Sequence, residues 1–409
     1  MKTKYNKKNI LFLNIYGGGL MPGGTEVYLR NLIKELRQKD NQSQLFIATF
    51  NKKNNLYSKY GARVEDSIMT RFLENYRVLR FQNSIPLVGF VTFLWGIYWL
   101  YRTSLKIIKK NHIDLIYANG GNLSAIVAYL LYRKTGIKYL IHFHGLFDFT
   151  KLLNKNTLSI KSIIFRTITR AFLTNAHTLI ANSNDVANDI HNIKDMHLHP
   201  VIVNCFVDTD VFYPQDQSAC RKKLRLPKKN FIIVSTNRLE EDKRIHFLIK
   251  IAQLLQNKNI KIIFIGDGPL RKDVEDLSMN NRNVVYYPPM NNIYLPQYLN
   301  AADIVWGACS LSYLSLTLIE ALACGKPIMA SNIPVSHDIT HGKTVYPKTI
   351  PLTIGFLIKE NVKTVLLFLN QLDKNRGILN QKKGNCLRFY HQMYGRTNIE
   401  RVMAIIYNA

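Results

Sequence analysis

Glu320 stands one turn into an apolar helix that opens near Leu316 and Thr317 and is stopped by Cys324-Gly325-Lys326-Pro327. An apolar strand, Ile304–Gly307, and a loop of small residues lead into it. A carboxylate there can bind ribose hydroxyls, while backbone N–H groups left unpaired at the helix start hold phosphate. Upstream, Arg238 and Lys243 follow the apolar run Phe231–Ser235. Arginine offers phosphate oxygens a planar fork and lysine a point charge. Glu240, Glu241 and Asp242 lie between the two cations, so a surface salt-bridge cluster is the competing reading. Gly266-Asp267-Gly268-Pro269 follows another apolar run; it fits a ligand-approaching turn or a tight turn with no ligand.

In the N-terminal half, Pro22-Gly23-Gly24-Thr25-Glu26 opens a helix after the first strand, behind Gly17, Gly18 and Gly19. Glycine lets a backbone approach a ligand closely. Gly17 and Gly19 have no third glycine in dinucleotide-fingerprint register, so NAD binding is poorly supported. His144-Gly145 ends an apolar run, where a histidine is either structural or part of a site. His142, two residues earlier, is expected on the opposite face of that strand. Asp208-Thr209-Asp210 spells a D-x-D metal motif but falls in a polar connecting stretch, so it is read as a decoy and no metal is expected.

These residues need a scaffold. Apolar runs at Ile10–Ile15, Leu45–Phe50, Leu115–Ala118, Tyr139–Phe143 and Thr178–Ala181 alternate with helical patterns such as Glu26–Leu36 and Leu123–Arg133. Such alternation implies a parallel sheet covered on both faces. After the polar stretch Tyr213–Lys229 the pattern restarts, with strands at Phe231–Ser235, Ile260–Ile265, Val284–Tyr287, Ile304–Trp306 and Pro327–Ala330. The fold class is therefore α/β with two Rossmann-like domains. The expected division is residues 1–205 and 206–387, and the tail Arg388–Tyr407 has helical periodicity.

Phe81–Tyr101 has no charged residue and is nearly long enough to span a bilayer, but Pro86, Gly89 and Gly96 punctuate it. Arg102, Lys106, Lys109 and Lys110 then fall on one helical face. Trp95, Tyr98, Trp99 and Tyr101 suit a membrane interface. The favoured expectation is a helix lying on an anionic membrane surface, ahead of a buried crossover helix and a true span.

The loop Asn237-Arg238-Leu239 with Lys243 resembles a G-R-L-x-x-x-K motif. Ser312–Pro327 resembles E-G-(F/L)-(G/S)-L-x-x-x-E-A-(M/L)-A-x-G-x-P, with Ser312 for the first Glu and Tyr313 for the Gly. Gly266–Pro269 matches G-x-G-P, and Asn204–Pro214 is similar to an interdomain N-G-V-D-x-x-x-F-x-P segment. The chain thus resembles the retaining glycosyltransferases of the GT-B fold, glycosyltransferase family 4. The resemblance implies two Rossmann-like domains facing each other across a cleft, the first binding acceptor and the second a nucleotide-diphosphate sugar. Helix 388–409 would pack back on the first domain. The implied catalytic set is His144, Arg238 and Lys243. Gly23, Gly24, Gly268, Ser312, Leu316, Thr317 and Glu320 would bind donor. No cofactor is implied beyond the nucleotide-sugar co-substrate. The acceptor would be a glycan or lipid-linked. Ser312 and Tyr313 leave three outcomes: a different donor, a site completed by other groups, or weakened catalysis on a nucleotide-binding or assembly protein.

Composition sets outer limits. The chain has 409 residues, 47% of them hydrophobic, enough to bury two cores. The net charge of +28 favours anionic partners. No nucleic-acid motif accompanies it, so nucleic acid is not an expected partner. Five cysteines without C-x-x-C spacing argue against a disulfide framework or zinc ribbon. The expected location is cytoplasmic, peripheral on the inner face of a membrane.

Overall fold

The computed structural model describes residues 6–14, 24–40, 42–49, 62–66, 86–121, 123–144, 160–193, 195–307, 315–331 and 353–409. They form two compact units, Met1–Cys205 with Thr397–Ala409, and Phe206–Arg396.

The first unit contains β1 (Asn9–Asn14), α1 (Gly24–Lys39), β2 (Gln44–Thr49), β3 (Arg63–Asp66), α2 (Pro86–Lys110) and β4 (Leu115–Asn119). It continues through α3 (Leu123–Thr135), β5 (Tyr139–Phe143), α4 (Ile160–Thr174), β6 (Thr178–Ala181), α5 (Asn184–His191) and β7 (Val201–Ile202). The strands make one parallel sheet in the order β3-β2-β1-β4-β5-β6-β7. They are near-continuous apolar runs because helices cover both faces of a parallel sheet. One face packs Leu11, Leu13, Ile116 and Ile141 against Leu100 and Ile107 of α2, Leu131 of α3 and Phe172 of α4. The order reverses between β1 and β4, so the crevice at the strands' C-terminal ends opens there.

The second unit begins with α6 (Gln217–Lys223), β8 (Phe231–Ser235), α7 (Ile245–Leu254), β9 (Ile260–Ile265), α8 (Arg271–Asn280) and β10 (Val284–Tyr287). Next come α9 (Leu295–Ala301), β11 (Ile304–Gly307), α10 (Leu316–Ala323), β12 (Ile328–Ser331), β13 (Gly355–Ile358), α11 (Val362–Lys374) and α12 (Gly377–Tyr394). Its parallel sheet runs β10-β9-β8-β11-β12-β13. A buried ion pair anchors it. Arg221 of α6 holds Asp303 at 2.7 Å and donates to the carbonyls of Ala301, Lys228 and Asn230, while Asp303 accepts from the Ile232 amide. Such a pair is tolerable in the interior because every charge finds a partner.

The last helix, α13 (Arg396–Asn408), belongs by its contacts to the first unit. Lys8 reaches the Ile406 carbonyl at 3.2 Å, the Tyr407 hydroxyl donates to Asp40 at 2.5 Å, and Lys138 reaches the Ala409 carbonyl at 2.8 Å. The expected single tail helix is broken at Gly395. A side chain there would run into the His391 carbonyl.

α2 differs from its sequence expectation in one respect. Leu100 and Ile107 are fully buried, which makes it the crossover between β3 and β4. Its other face carries exposed Trp95, Tyr98, Arg102, Lys106, Lys109 and Lys110. No helix among the described residues is long and apolar enough to cross a membrane.

Candidate functional site

In the second unit the expected phosphate and ribose residues converge on two adjacent chain turns. β8 leads into Thr236, Asn237 and Arg238, a short 3-10 turn holds Glu241–Lys243, and α7 follows. The Thr317 hydroxyl, in the first turn of α10, donates to the Thr236 carbonyl at 3.4 Å. That bond joins the helix start bearing Leu316, Thr317 and Glu320 to the loop bearing Arg238. Ser315 caps α10 with its carbonyl, accepting from Leu318 and Ile319, and its side chain makes no cap hydrogen bond. The amides of Leu316 and Thr317 precede the first intrahelical donor, as at any helix start. Ser315 Oγ and Thr236 Oγ1 are buried with no partner among the described residues. Glu320 is only 5% exposed.

Asn237 stands where the motif has Gly, and its contacts show why the exchange is tolerated. Its amide donates to Ser235 Oγ at 3.1 Å and to the Trp306 carbonyl at 3.0 Å, tying β8 to β11. Gly266 and Gly268 have φ of +157° and +156°. A Cβ on Gly268 would come within 2.5 Å of the Leu239 carbonyl oxygen, and one on Gly266 would strike that of Asn237. The two loops are also hydrogen-bonded, Leu239 N to Asp267 O at 2.9 Å and Leu270 N to Leu239 O at 3.0 Å. The glycine turn therefore seats the Arg238 loop, whether or not it also touches ligand.

Arg238 is half exposed and ion-paired with Glu240. Lys243 is partly buried in the 3-10 turn. Arg244, which sequence reasoning passed over, adopts φ +55° and grips Glu360 side-on, donating from Nε to Oε1 at 2.6 Å and from Nη2 to Oε2. It closes the turn that carries Lys243 and starts α7. Burial pushes the Glu360 carboxyl upward, but the Arg244 hydrogen bond and charge outweigh it and the net shift is down.

In the first unit, the expected residues His144 and Gly24 lie at the β1/β4 switch point. His144 follows β5, and its Nε2 lies 2.6 Å from Asn119 Oδ1 at the end of β4. The Asn119 amide nitrogen donates to Asn14 Oδ1, at the end of β1, at 3.0 Å and to the Thr25 carbonyl in the first turn of α1 at 3.3 Å. A backbone carbonyl only accepts, so Thr25 fixes the amide's orientation and leaves Oδ1 facing the histidine. His144 must then carry its proton on Nε2, with Nδ1 as the lone-pair nitrogen. Gly24 opens the same first turn of α1.

His142 corrects an expectation. Residues two apart in a strand share a face. Its ring stacks on His144 at 4.3 Å with planes 24° apart, instead of pointing away. Tyr28 of α1 closes on both rings, at 4.8 Å and 4.7 Å. The Tyr117 hydroxyl lies 2.5 Å from His142 Nδ1. Burial pushes the His144 imidazole down to about 3. Burial, with His144 beside it, takes His142 well below the usual range. Both rings are neutral at physiological pH.

Gly23, Ser312 and Tyr313 lie outside the described residues, as does Gly145. Asp208 and Asp210 form a turn in which the Asp208 carboxylate accepts from the Asp210 amide at 3.1 Å. Asn14 and Asn119, central to the first cluster, were absent from the sequence reading. Each is a polar residue closing an apolar strand, a signal that could have pointed to them. A polar hollow lined by Gln217, Arg221, Lys228, Asp303 and Arg376 lies at the opposite, N-terminal end of β8, and its Arg221–Asp303 pair is already satisfied.

Comparison with known proteins follows the same division. Residues 22–211 match the family model Glycosyltransferase Family 4, and residues 216–379 match Glycosyl transferases group 1. D-inositol 3-phosphate glycosyltransferase of Mycobacteroides abscessus is 30% identical over 171 residues, covering 39% of this chain and 37% of that protein's length. Among solved structures, HepE of Anabaena in complex with UDP and glucose is similar with a TM-score of 0.70 at 18% identity, over 98% of this chain and all of that one. Sucrose-phosphate synthase of Thermosynechococcus elongatus gives 0.74 at 18% identity, covering 98% of each chain. At such identities the structural likeness is one of fold.

Proposed function

The chain belongs to the GT-B-fold glycosyltransferases, related to glycosyltransferase family 4 and the group 1 glycosyl transferases, and on that premise we propose that it moves a sugar from a nucleotide-diphosphate donor to a membrane-borne or polysaccharide acceptor with retention of configuration. The observation that carries this reading is the Thr317–Thr236 hydrogen bond, which sets a helix start whose first amides have no partner among the described residues, and buried Glu320, against the Arg238–Lys243 loop. Arg238 and Lys243 take the donor diphosphate. Breaking the sugar–phosphate bond builds negative charge on the leaving nucleotide, and cations fixed beforehand stabilise that charge. Glu320 takes the ribose hydroxyls, and the Leu316 and Thr317 amides complete the polar lining.

His144 serves the sugar side. A sugar losing its leaving group becomes cation-like, and a protonated imidazole would oppose that charge. Burial keeps His144 neutral, so its lone-pair Nδ1 can face an electron-deficient centre without repulsion. Gly23 and Gly24, having no side chains, would let backbone approach donor or acceptor closely.

A screen of UDP-, GDP- and ADP-sugars, read by calorimetry and by nucleotide release, tests the proposal. One donor class should bind and turn over, and the product anomer should match the donor's. Failure to bind any nucleotide would overturn the reading. Binding with no turnover over a broad acceptor set would favour the second reading, a non-catalytic nucleotide-binding protein, which Ser312 and Tyr313 motivate. Under the enzyme reading Ser312→Glu lowers turnover through its added bulk or its charge; under the second it restores some hydrolysis.

A further inference from the structure

The helices α2, α3 and α4 lie side by side on one face of the first sheet, with α3 between the other two. None contains an Asp or Glu. At the chain's frequency of 27 acids in 409 residues, helices of 25, 13 and 15 residues would hold about three or four. The other helices of the same unit, α1, α5 and α13, each carry a carboxylate. An ordinary solvated face mixes both signs, whereas these three helices supply cations alone; the acid that meets Arg170 of α4, Asp195 at 3.5 Å, comes from the chain after α5.

On α2 the outward residues are stratified: Leu94, Trp95 (49% exposed) and Tyr98 come first, and Arg102, Lys106, Lys109 and Lys110 follow. α4 exposes Ile163, Ile164 (53%) and Ile168 with the half-buried Arg166 and Arg170 interleaved, and α3 adds exposed Arg133 and Lys134. Trp95 stacks on Trp99 at 6.3 Å, and Tyr98 packs edge-on against Trp95 at 6.2 Å, so the aromatic group is held together before anything binds. Arg102 lies over the Tyr98 ring at 5.7 Å, and Arg133 over Tyr129 at 6.0 Å.

Direction gives this layer its meaning. Each helix runs antiparallel to the strand it feeds, so its first residues lie at the C-terminal edge of the sheet, where Asn119 and His144 sit. A helix of 25 residues is about 37 Å long, whereas the five residues of β4 span about 16 Å. The first half of α2 therefore extends past that edge.

We propose that the α2–α3–α4 face is a docking surface for an anionic lipid bilayer: the apolar rim enters the headgroup–acyl boundary, the basic band binds lipid phosphates, and the sheet edge bearing His144 is turned toward the membrane. Aromatic residues at interfacial depth and cations against anionic headgroups are the chemistry such a surface uses. A polar acidic macromolecule would be served by the cations alone and gives no use for the exposed isoleucines on α4. The inference extends the reading of a membrane-borne acceptor, but its test needs no turnover.

The full chain is mixed with vesicles of phosphatidylcholine alone or of equimolar phosphatidylcholine and phosphatidylglycerol, and binding is read by sedimentation. The parent should bind the anionic vesicles and not the neutral ones. Arg102→Gln with Lys106→Gln, Lys109→Gln and Arg133→Gln should weaken binding at least about tenfold. Trp95→Ser with Ile163→Ser and Ile164→Ser should also weaken it, and added salt should not reproduce that second loss. A control set of equal charge change on the other unit, Lys222→Gln, Lys229→Gln, Lys258→Gln and Lys272→Gln, should leave binding within about twofold. All altered side chains are on exposed faces, and circular dichroism with a thermal melt verifies folding. A parent that ignores anionic vesicles overturns the proposal, as does a control set as damaging as the basic set. Unchanged binding by the apolar set also overturns it and points to a purely electrostatic partner. If vesicle binding holds while the donor screen fails, only the catalytic reading falls.

Discussion

The two clusters at the strand ends are built on opposite electrostatic principles. Around the half-buried His144 the polar groups are neutral and hydrogen-bonded in a chain, Asn119 to Asn14, His144 to Asn119 and Tyr117 to His142, with His142 Nε2 left without a partner among the described residues. Around Arg238 the groups are charged and partly wet, and Arg238 is held by a carboxylate, Glu240, that a diphosphate could displace. A buried neutral network keeps one geometry because breaking any bond leaves an unsatisfied group in low dielectric. An exposed ion pair is weak and can exchange partners. One region is suited to hold a sugar in a fixed pose, the other to capture and release a charged nucleotide.

The largest break in this contrast is expected from the charged side. Arg238→Ala and Lys243→Ala should each lower turnover by about a hundredfold or more while weakening binding of the nucleoside diphosphate less. Parallel measurement of turnover and nucleotide affinity checks this, and equal losses would make the cations ground-state binders only. On the neutral side, His144→Ala should lower turnover by about tenfold, the scale of one uncharged hydrogen bond, and leave nucleoside diphosphate affinity intact. A loss of nucleotide affinity there would dissolve the division between the two clusters.

Stability separates them further. Asn119→Ala strips His144 of its acceptor and should cost about 1–3 kcal/mol, measured by urea unfolding. Gly268→Ala should cost a similar amount, about 1–3 kcal/mol, because the new Cβ meets the Leu239 backbone. It should also weaken nucleotide binding, by displacing the Arg238 loop.

The smallest effect is a pH dependence with a definite sign. His144 has a folded value of about 3, well below the 6.5 of an unperturbed histidine. Between those values the unfolded chain binds more protons, so stability rises with pH across that window and is lost as pH falls through it. One such group gives a slope of up to about 1.4 kcal/mol per pH unit. Thermal melts of the parent and His144→Gln between about pH 6 and about pH 5 should show a shallower slope in the variant. Identical slopes would mean that His144 titrates normally in the folded chain.

Much of this architecture was legible before the coordinates. The strands Tyr139–Phe143, Thr178–Ala181, Phe231–Ser235, Ile260–Ile265 and Val284–Tyr287 coincide with apolar runs read from sequence, because a strand buried on both faces has no polar face to disguise it. The strands β3, β7 and β13 were missed. β3 reads Arg-Val-Glu-Asp and β7 has only two residues, so neither carries an apolar run, whereas β13 reads Gly-Phe-Leu-Ile, a short apolar run that the sequence reading did not include. The helix break at Gly395 was hidden because apolar spacing continues across it.

The sequence by itself determined the two parallel-sheet units, which local periodicity encodes, and singled out Arg238, Lys243, Thr317 and Glu320 through the motifs it resembles. The tertiary structure alone decided which residues work together. Asn14, Asn119 and His144 come from three strands far apart in the chain, and their contact arises only because β1, β4 and β5 are neighbours in the sheet. The same holds for the acid-free layer. α2, α3 and α4 look like three ordinary crossover helices one by one, and packing side by side on one sheet face turns their exposed residues into a single surface.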